Sequence, residues 1–162
     1  MLKTKEIKTF LWFDGQAEEA AKFYVSLLPD SRIERVMRAP ADYPGGSAGT
    51  LLTVDFTLAG QQFIALNGGP EFSFTEAVSF TINCADQAEV DRLWNALIAG
   101  GGAPVECGWL KDRFGLSWQI VPSILPAMLA DPDREKARRV MEAMLRMVKL
   151  EIEALQKAYD GA

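Results

Sequence analysis

Glu106 and Cys107 set a carboxylate beside a thiol, the pair from which a nucleophilic cysteine could be built. A thiolate at neutral pH needs a base or a positive charge close by, and the nearest cation in sequence is Lys111. The stretch from Pro104 to Cys107 reads as a short strand, and neighbouring strand residues point to opposite faces. Glu106 is therefore not expected to assist Cys107, which reads as a buried structural thiol. Lys111-Asp112-Arg113 reads as a solvated turn between strands. Acid–base work could otherwise fall to Glu71, Glu76 or Glu106. The chain has no histidine, which removes both the usual general base and the commonest transition-metal ligand. Gly45-Gly46 and Gly68-Gly69 lie in loops, and Gly100-Gly101-Gly102 follows a helix. None opens a helix after a strand, the context in which a glycine-rich turn cradles a nucleotide cofactor.

These residues must be positioned by the elements around them. Thr9 to Phe13 reads as a strand broken by Asp14-Gly15, with Asp14 as a possible cap for a helix over 16–28. Ala17, Ala20, Ala21, Tyr24, Leu27 and Leu28 recur there at helical spacing. Ile33 to Met37 reads as a second strand, and 39–49 is a loop of turn formers in which Asp42 and Tyr43 could act as a lid. Leu52, Val54, Phe56 and Leu58 alternate with Thr53, Asp55 and Thr57, the period of a half-buried strand. Ala59-Gly60 then turns the chain into a hairpin partner, Gln61 to Leu66.

A second copy of this order follows. Val78 to Asn83 is strand-like, and Asp86 with Glu89 has the form of a capping box. Val90, Leu93, Trp94, Leu97 and Ile98 make the buried stripe of a helix near 87–99. Short strands fit Pro104 to Cys107, Trp109 to Lys111, and Leu116 to Val121. Gln16-Ala17-Glu18 and Gln87-Ala88-Glu89 open the two helices, a faint repeat at the same place in each half.

After Asp131, which reads as a helix cap, Ala137, Met141, Met144, Val148, Ile152, Leu155 and Tyr159 follow at helical steps. This is one amphipathic helix, or two broken near Lys149-Leu150-Glu151. Its apolar side must cover the chain's own domain or a partner subunit. Burial of Met141, Met144, Val148 and Ile152 is expected, within a homodimer that the tail stabilises.

The 162 residues suit a single domain or two small modules around one core, and the net charge of −5 shows no basic stripe for nucleic acid. No apolar run reaches the ~20 residues of a membrane span. A charged N-terminus without a leader-like core makes a cytoplasmic location the expectation. Cys84 and Cys107 are expected as free thiols.

Three segments carry a family resemblance. They are Phe10-Leu-Trp-Phe-Asp-Gly-Gln-Ala-Glu-Glu-Ala20, Asn67-Gly-Gly-Pro-Glu-Phe-Ser-Phe-Thr-Glu76, and Cys107-Gly-Trp-Leu-Lys-Asp-Arg-Phe-Gly-Leu-Ser-Trp-Gln119. Together they resemble the PhnB-like branch of the vicinal oxygen chelate superfamily, whose members include glyoxalase I, bleomycin-resistance proteins and extradiol dioxygenases. The branch is often labelled 3-demethylubiquinone-9 3-methyltransferase. The resemblance is taken to run along nearly the whole chain, tail included. It implies an α+β fold of two βαβββ modules, near 7–68 and 76–122 within a domain 1–125, followed by a helical tail over 126–162. It also implies that each sheet curls into half of a cup, and a dimer.

Superfamily metals are held by His and Glu side chains on the first and last strands of the modules. Lys8 to Phe10, Ala65 to Asn67, Ala77 to Ser79 and Gln119 occupy those places here. Glu71 stands where many relatives carry His. A neutral amide at Gln119 is a weak ligand for a transition metal, so no metal and no cofactor are expected. If Gln119 faces the cup, alternation turns Ser117 and Val121 the same way, and Trp118 and Ile120 toward the helices. The ligand-binding candidates are Phe10, Trp12, Asn67, Glu71, Ser79, Trp109, Ser117 and Gln119. Three functions stay open: a metal-free small-molecule binder, an enzyme of the superfamily (lyase, dioxygenase or methyltransferase), and an interaction protein acting through its tail.

Overall fold

The computed structural model describes residues 5–162. They divide into two compact units, with the boundary between Phe74 and Thr75.

The first unit runs β1 (Thr9–Phe13), α1 (Ala17–Val25), β2 (Arg32–Arg38), β3 (Leu51–Leu58) and β4 (Gln61–Asn67). Its sheet has the order β1-β4-β3-β2, with β1 parallel to β4 and the other pairs antiparallel. Ala59 and Gly60 both take positive φ, the backbone that a two-residue hairpin turn requires. Ala17, Ala20, Ala21 and Tyr24 of α1 are fully buried. Three small side chains in that row let the helix lie close on β3 and β4, over the stacked rings of Phe56 and Phe63.

Three expectations need correction in this unit. Helix α1 stops at Val25, and a turn carries the chain on to Leu28. Asp14 does not cap it. Gln16 is the N-cap residue without a side-chain bond, and Asn67 Oδ1 reaches over from β4 to accept the Ala17 N–H at 2.9 Å. Strand β3 is not half-buried, because Thr53 and Thr57 are only 6% and 4% exposed. Thr57 Oγ1 donates to Glu34 at 2.6 Å, so a bulged β2 residue folds over that side of the sheet. Beyond these three, the 39–49 loop, read as a possible lid, is held in place. Tyr43 and Gly46 bridge each other, and the Tyr43 hydroxyl donates to the Asn67 carbonyl at 2.9 Å.

The second unit repeats the order with β5 (Ser79–Cys84), α2 (Gln87–Ile98), β6 (Ala103–Pro104), β7 (Trp109–Lys111) and β8 (Ser117–Pro122), in a sheet β5-β8-β7-β6. β5 and β8 are again parallel. The capping box forms: Asp86 accepts the Glu89 N–H, and Glu89 reaches back to the Ala85 N–H at 2.7 Å. The βαβββ order expected from the sequence is thus present in both units.

Pro104 to Cys107 is not a strand. Only Ala103 and Pro104 pair with β7, because Cys107 and Gly108 both take positive φ and turn the chain back on itself. Lys111-Asp112-Arg113 is not a solvated turn either. Asp112 is 2% exposed, and its Oδ1 accepts the Phe114 and Leu116 N–H groups while Oδ2 accepts the Trp118 indole at 2.9 Å.

Beyond β8 come α3 (Leu125–Leu129), α4 (Arg134–Met144) and α5 (Ile152–Asp160). The break near Lys149-Leu150-Glu151 is where the sequence puts it, but α3 is an addition. Asp133, not Asp131, caps α4, accepting from Glu135 and Lys136. Asp131 instead accepts the Tyr159 hydroxyl of α5 at 2.5 Å. The buried stripe is Ala137, Val140, Leu150 and Leu155, whereas Met141 is 50% and Val148 48% exposed; Met144 and Ile152 are intermediate. Helix α4 is rotated by one position from the expected face, because Arg139 turns to the end of α5 and donates to the Ala158 and Tyr159 carbonyls. No helix among the described residues is long and apolar enough to cross a membrane.

Candidate functional site

One face of the second sheet belongs to the helix. Phe80, Ile82, Trp118, Ile120 and Leu110 alternate toward α2, whose Val90, Leu93, Trp94 and Leu97 are buried. By the same alternation Ser79, Thr81 and Asn83 of β5 face the other way, with Ser117, Gln119 and Val121 of β8 and Trp109 and Lys111 of β7. The register sets these into rows across the strands: Ser79–Ser117–Lys111, then Thr81–Gln119–Trp109, then Asn83–Val121.

The last two rows are the floor of a cavity of about 370 Å³. Its wall is apolar, from Leu125, Pro126 and Leu129 of α3 and Met144 of α4, and Cys107 stands at one corner. Gln119 Nε2 donates to Ser79 Oγ at 2.9 Å, which fixes the amide and binds the first row to the second. Ser117 Oγ is buried and has no hydrogen-bond partner among the described residues. Lys111 is ion-paired with Glu76. The hydrogen bond from Lys111 holds the Glu76 carboxyl below the usual range, so it stays ionised and is not poised as a proton donor.

The eight candidates separate by unit. Ser79, Trp109, Ser117 and Gln119 share the face just described. Phe10, Trp12, Asn67 and Glu71 belong to the first unit. There Phe10 is 58% exposed, and the Trp12 indole donates to the Gly69 carbonyl at 2.8 Å, edge-on to Phe72. Asn67 is taken up structurally: besides the Ala17 bond, its Nδ2 donates to the Leu51 carbonyl at 3.1 Å. Glu71 is exposed. A second hollow of about 310 Å³ in that unit is lined by Lys8, Arg32, Glu34, Asp55 and Gln62. Its charges are already matched, Arg32 by Glu34 at 2.9 Å and Asp55 by Arg35 at 3.0 Å, so it offers a ligand little.

Thr81, Asn83 and the whole apolar wall are additions to the residues placed at the cup from sequence, and Val121 lies where alternation from Gln119 puts it. Thr81 and Asn83 carry a signal in the chain, since they alternate from Ser79. Nothing in the tail's pattern tells which surface Leu129 or Met144 will cover.

The two cysteines differ. Burial, with the negative charge of Glu89 next in weight, pushes the Cys84 thiol up to about 11. At pH 8 only about one Cys84 in a thousand is then a thiolate. Cys107 is half-buried on the cavity. Iodoacetamide at pH 8 is expected to alkylate Cys107 in the folded protein and spare Cys84. Peptide mass analysis showing equal modification would contradict that difference.

The donors on this face do not suit a superfamily metal. Ser79, Thr81 and Gln119 are neutral oxygen and amide groups, and among the described residues no three His, Cys, Asp or Glu side chains are grouped to hold an ion. The links from strand to helix, Asp14-Gly15-Gln16 and Ala85-Asp86, are not the glycine-rich turns of a nucleotide-cofactor site.

Paired βαβββ units with an open sheet face define the glyoxalase/bleomycin-resistance class of fold. Fosfomycin resistance protein FosX from Mesorhizobium loti shares it at TM-score 0.52 and 12% identity, over 81% of this chain and all of that one. A trypanothione-dependent glyoxalase I from Leishmania major does so at TM-score 0.52 and 16% identity, over 81% of this chain and 95% of its own. Within that class, the family described as 3-demethylubiquinone-9 3-methyltransferase matches residues 5–121. A PhnB protein from Bacillus cereus with the same description is 35% identical, TM-score 0.65, over 73% of this chain and 99% of that one. The chain belongs to this PhnB-like family. No curated protein matches it. The family match ends at Val121, so the resemblance does not extend along the tail as the sequence reading has it.

Proposed function

We propose that this chain binds a small organic molecule in the cavity of its second unit, held by protein groups without a metal. The observation that carries this reading is the row Thr81–Gln119–Trp109 lying under an apolar wall. A concave, mostly apolar site with a few fixed polar groups is the usual form of a small-molecule site, and about 370 Å³ is within its usual size. Gln119 is already oriented by Ser79, and its carbonyl is left for a ligand's donor. Trp109 supplies a flat face for an aromatic body.

Naphthamide is a suitable probe, having a flat ring system and one neutral amide. Titrating it while following nitrogen–proton correlation spectra should move the Gln119 and Asn83 side-chain amides and the Trp109 indole, and leave the Trp12 indole in place. Shifts confined to other residues, or none, would remove the basis of the proposal.

A further inference from the structure

We infer that the segment 122–162 is the specificity-determining wall of this cavity, and that it selects an uncharged ligand with a flat apolar body and one hydrogen-bonding edge. This rests on the cavity reading above and goes on to assign its ligand class. Leu125, Pro126, Leu129 and Met144 all lie beyond Val121, where the family match ends. The Bacillus cereus relative is matched over 99% of its own length by 73% of this chain. The share left over is about the size of 122–162. The floor therefore belongs to the family's common framework, and the wall is set by what this chain carries after it.

The wall is held in a fixed position. Gln87, the first residue of α2, donates from Nε2 to the Leu150 carbonyl at 3.1 Å and accepts the Ile152 N–H on Oε1 at 2.8 Å. Lys149 pairs with Asp91, one helical turn further on, at 2.6 Å. The Cys107 and Gly108 N–H groups donate to the Met147 and Val148 carbonyls at 2.8 and 2.7 Å. Leu150, fully buried, rests on Gly108, where a Cβ would come within 2.8 Å of its Cδ1. Each anchor on the framework side lies inside the matched region, so framework and tail fit each other in detail.

Ligand charge follows from the lining. No side chain on the cavity is charged, and the nearest cation of the same face, Lys111, is engaged by Glu76. A carboxylate or phosphate placed there would lose water without gaining a counter-charge, a penalty that a neutral amide or hydroxyl escapes. Across from the polar row, Met144 is unbranched and adaptable, so it sets how thick a body can enter.

The test compares naphthamide with naphthoate, the same shape with and without a charge, by calorimetric titration of the full chain. Naphthamide should bind at least about tenfold more tightly, since the carboxylate's uncompensated desolvation exceeds a tenfold effect. Met144→Trp should fill the space and weaken naphthamide by about tenfold or more, as overfilled sites do. Met144→Ala should admit anthracene carboxamide about tenfold more tightly than the native chain does, by the reverse argument. Thermal unfolding checks each variant, and if Met144→Trp does not fold, Met144→Ala decides. Equal affinity for naphthamide and naphthoate overturns the inference. So do Met144 variants without effect while Gln119 and Trp109 still respond, and in that case the cavity reading stands. If naphthamide leaves Gln119 and Trp109 unmoved in the native chain, both are overturned.

Discussion

Asp112→Ala is expected to destabilise the second unit by about 3–5 kcal/mol, the largest loss from any single side chain outside the apolar core. Asp112 is 2% exposed, and its two oxygens accept the Phe114 and Leu116 N–H groups and the Trp118 indole. Alanine leaves three donors without an acceptor, two of them buried, and each buried orphan costs about 1–3 kcal/mol. The damage spreads because Asp112 shapes the turn that feeds β8, and β8 carries Ser117, Gln119 and Val121. Asp112→Asn keeps one carbonyl oxygen for the two backbone donors but must offer an NH₂ group or a shared oxygen to the indole. It should cost roughly half as much, by the same accounting of orphaned donors. Trp118→Phe removes the indole donor, and in that background Asp112→Asn should cost less than it does alone. Denaturant unfolding of the two single variants and the double variant checks this. Additive effects would mean that the Asp112–Trp118 contact contributes nothing.

Leu150→Ala should cost about 2–5 kcal/mol, the range for a fully buried leucine, and should release the tail from its bed. Leu150 joins Leu125, Met128, Val140 and Leu155 in the cluster that holds the three C-terminal helices together. Its loss loosens two backbone bonds as well, those from Cys107 to Met147 and from Gly108 to Val148. Hydrogen exchange at the Cys107 and Gly108 amides should accelerate well beyond that at the β3 amides of the first unit. Gly108→Ala approaches the same contact from the other side. It forces a φ of +81° on a residue with a Cβ and drives that Cβ into Leu150. Combined with Leu150→Ala the clash disappears and only the backbone strain remains, so the pair should cost less than the sum of the singles. Uniform protection across 107–108 in Leu150→Ala would show that the tail does not depend on this residue.

Much of the fold is legible in the chain because its signals are local. The alternation at Leu52, Val54, Phe56 and Leu58, the Ala59-Gly60 turn and the Asp86–Glu89 box each need only a few neighbouring residues. What is illegible depends on partners remote in sequence. Asp112 between Lys111 and Arg113 has the composition of a solvated turn, and only the return of β8 brings the Trp118 indole to it. Asn67 ends a strand like any rim residue until β4 lies parallel to β1 and presents it to the Ala17 N–H. The site divides the same way. Alternation ties Ser117, Gln119 and Val121 together and, extended from Ser79, reaches Thr81 and Asn83. The wall is hidden because a stripe at helical spacing tells that a face is apolar, not what it covers. Whether Val140 or Met141 points inward was settled by Arg139 reaching the end of α5, a contact nineteen residues long in sequence.

The late position of the wall has a consequence for any chain cut short after β8. Such a chain carries every strand of both sheets, yet Trp109, Val121 and the Gly108 bed lack their cover. It offers chaperones an apolar surface that the longer chain conceals. A stop between Val121 and Leu150 also removes the buried Leu150 that seats the tail, whereas a stop after Leu155 leaves the buried cluster of the three helices in place.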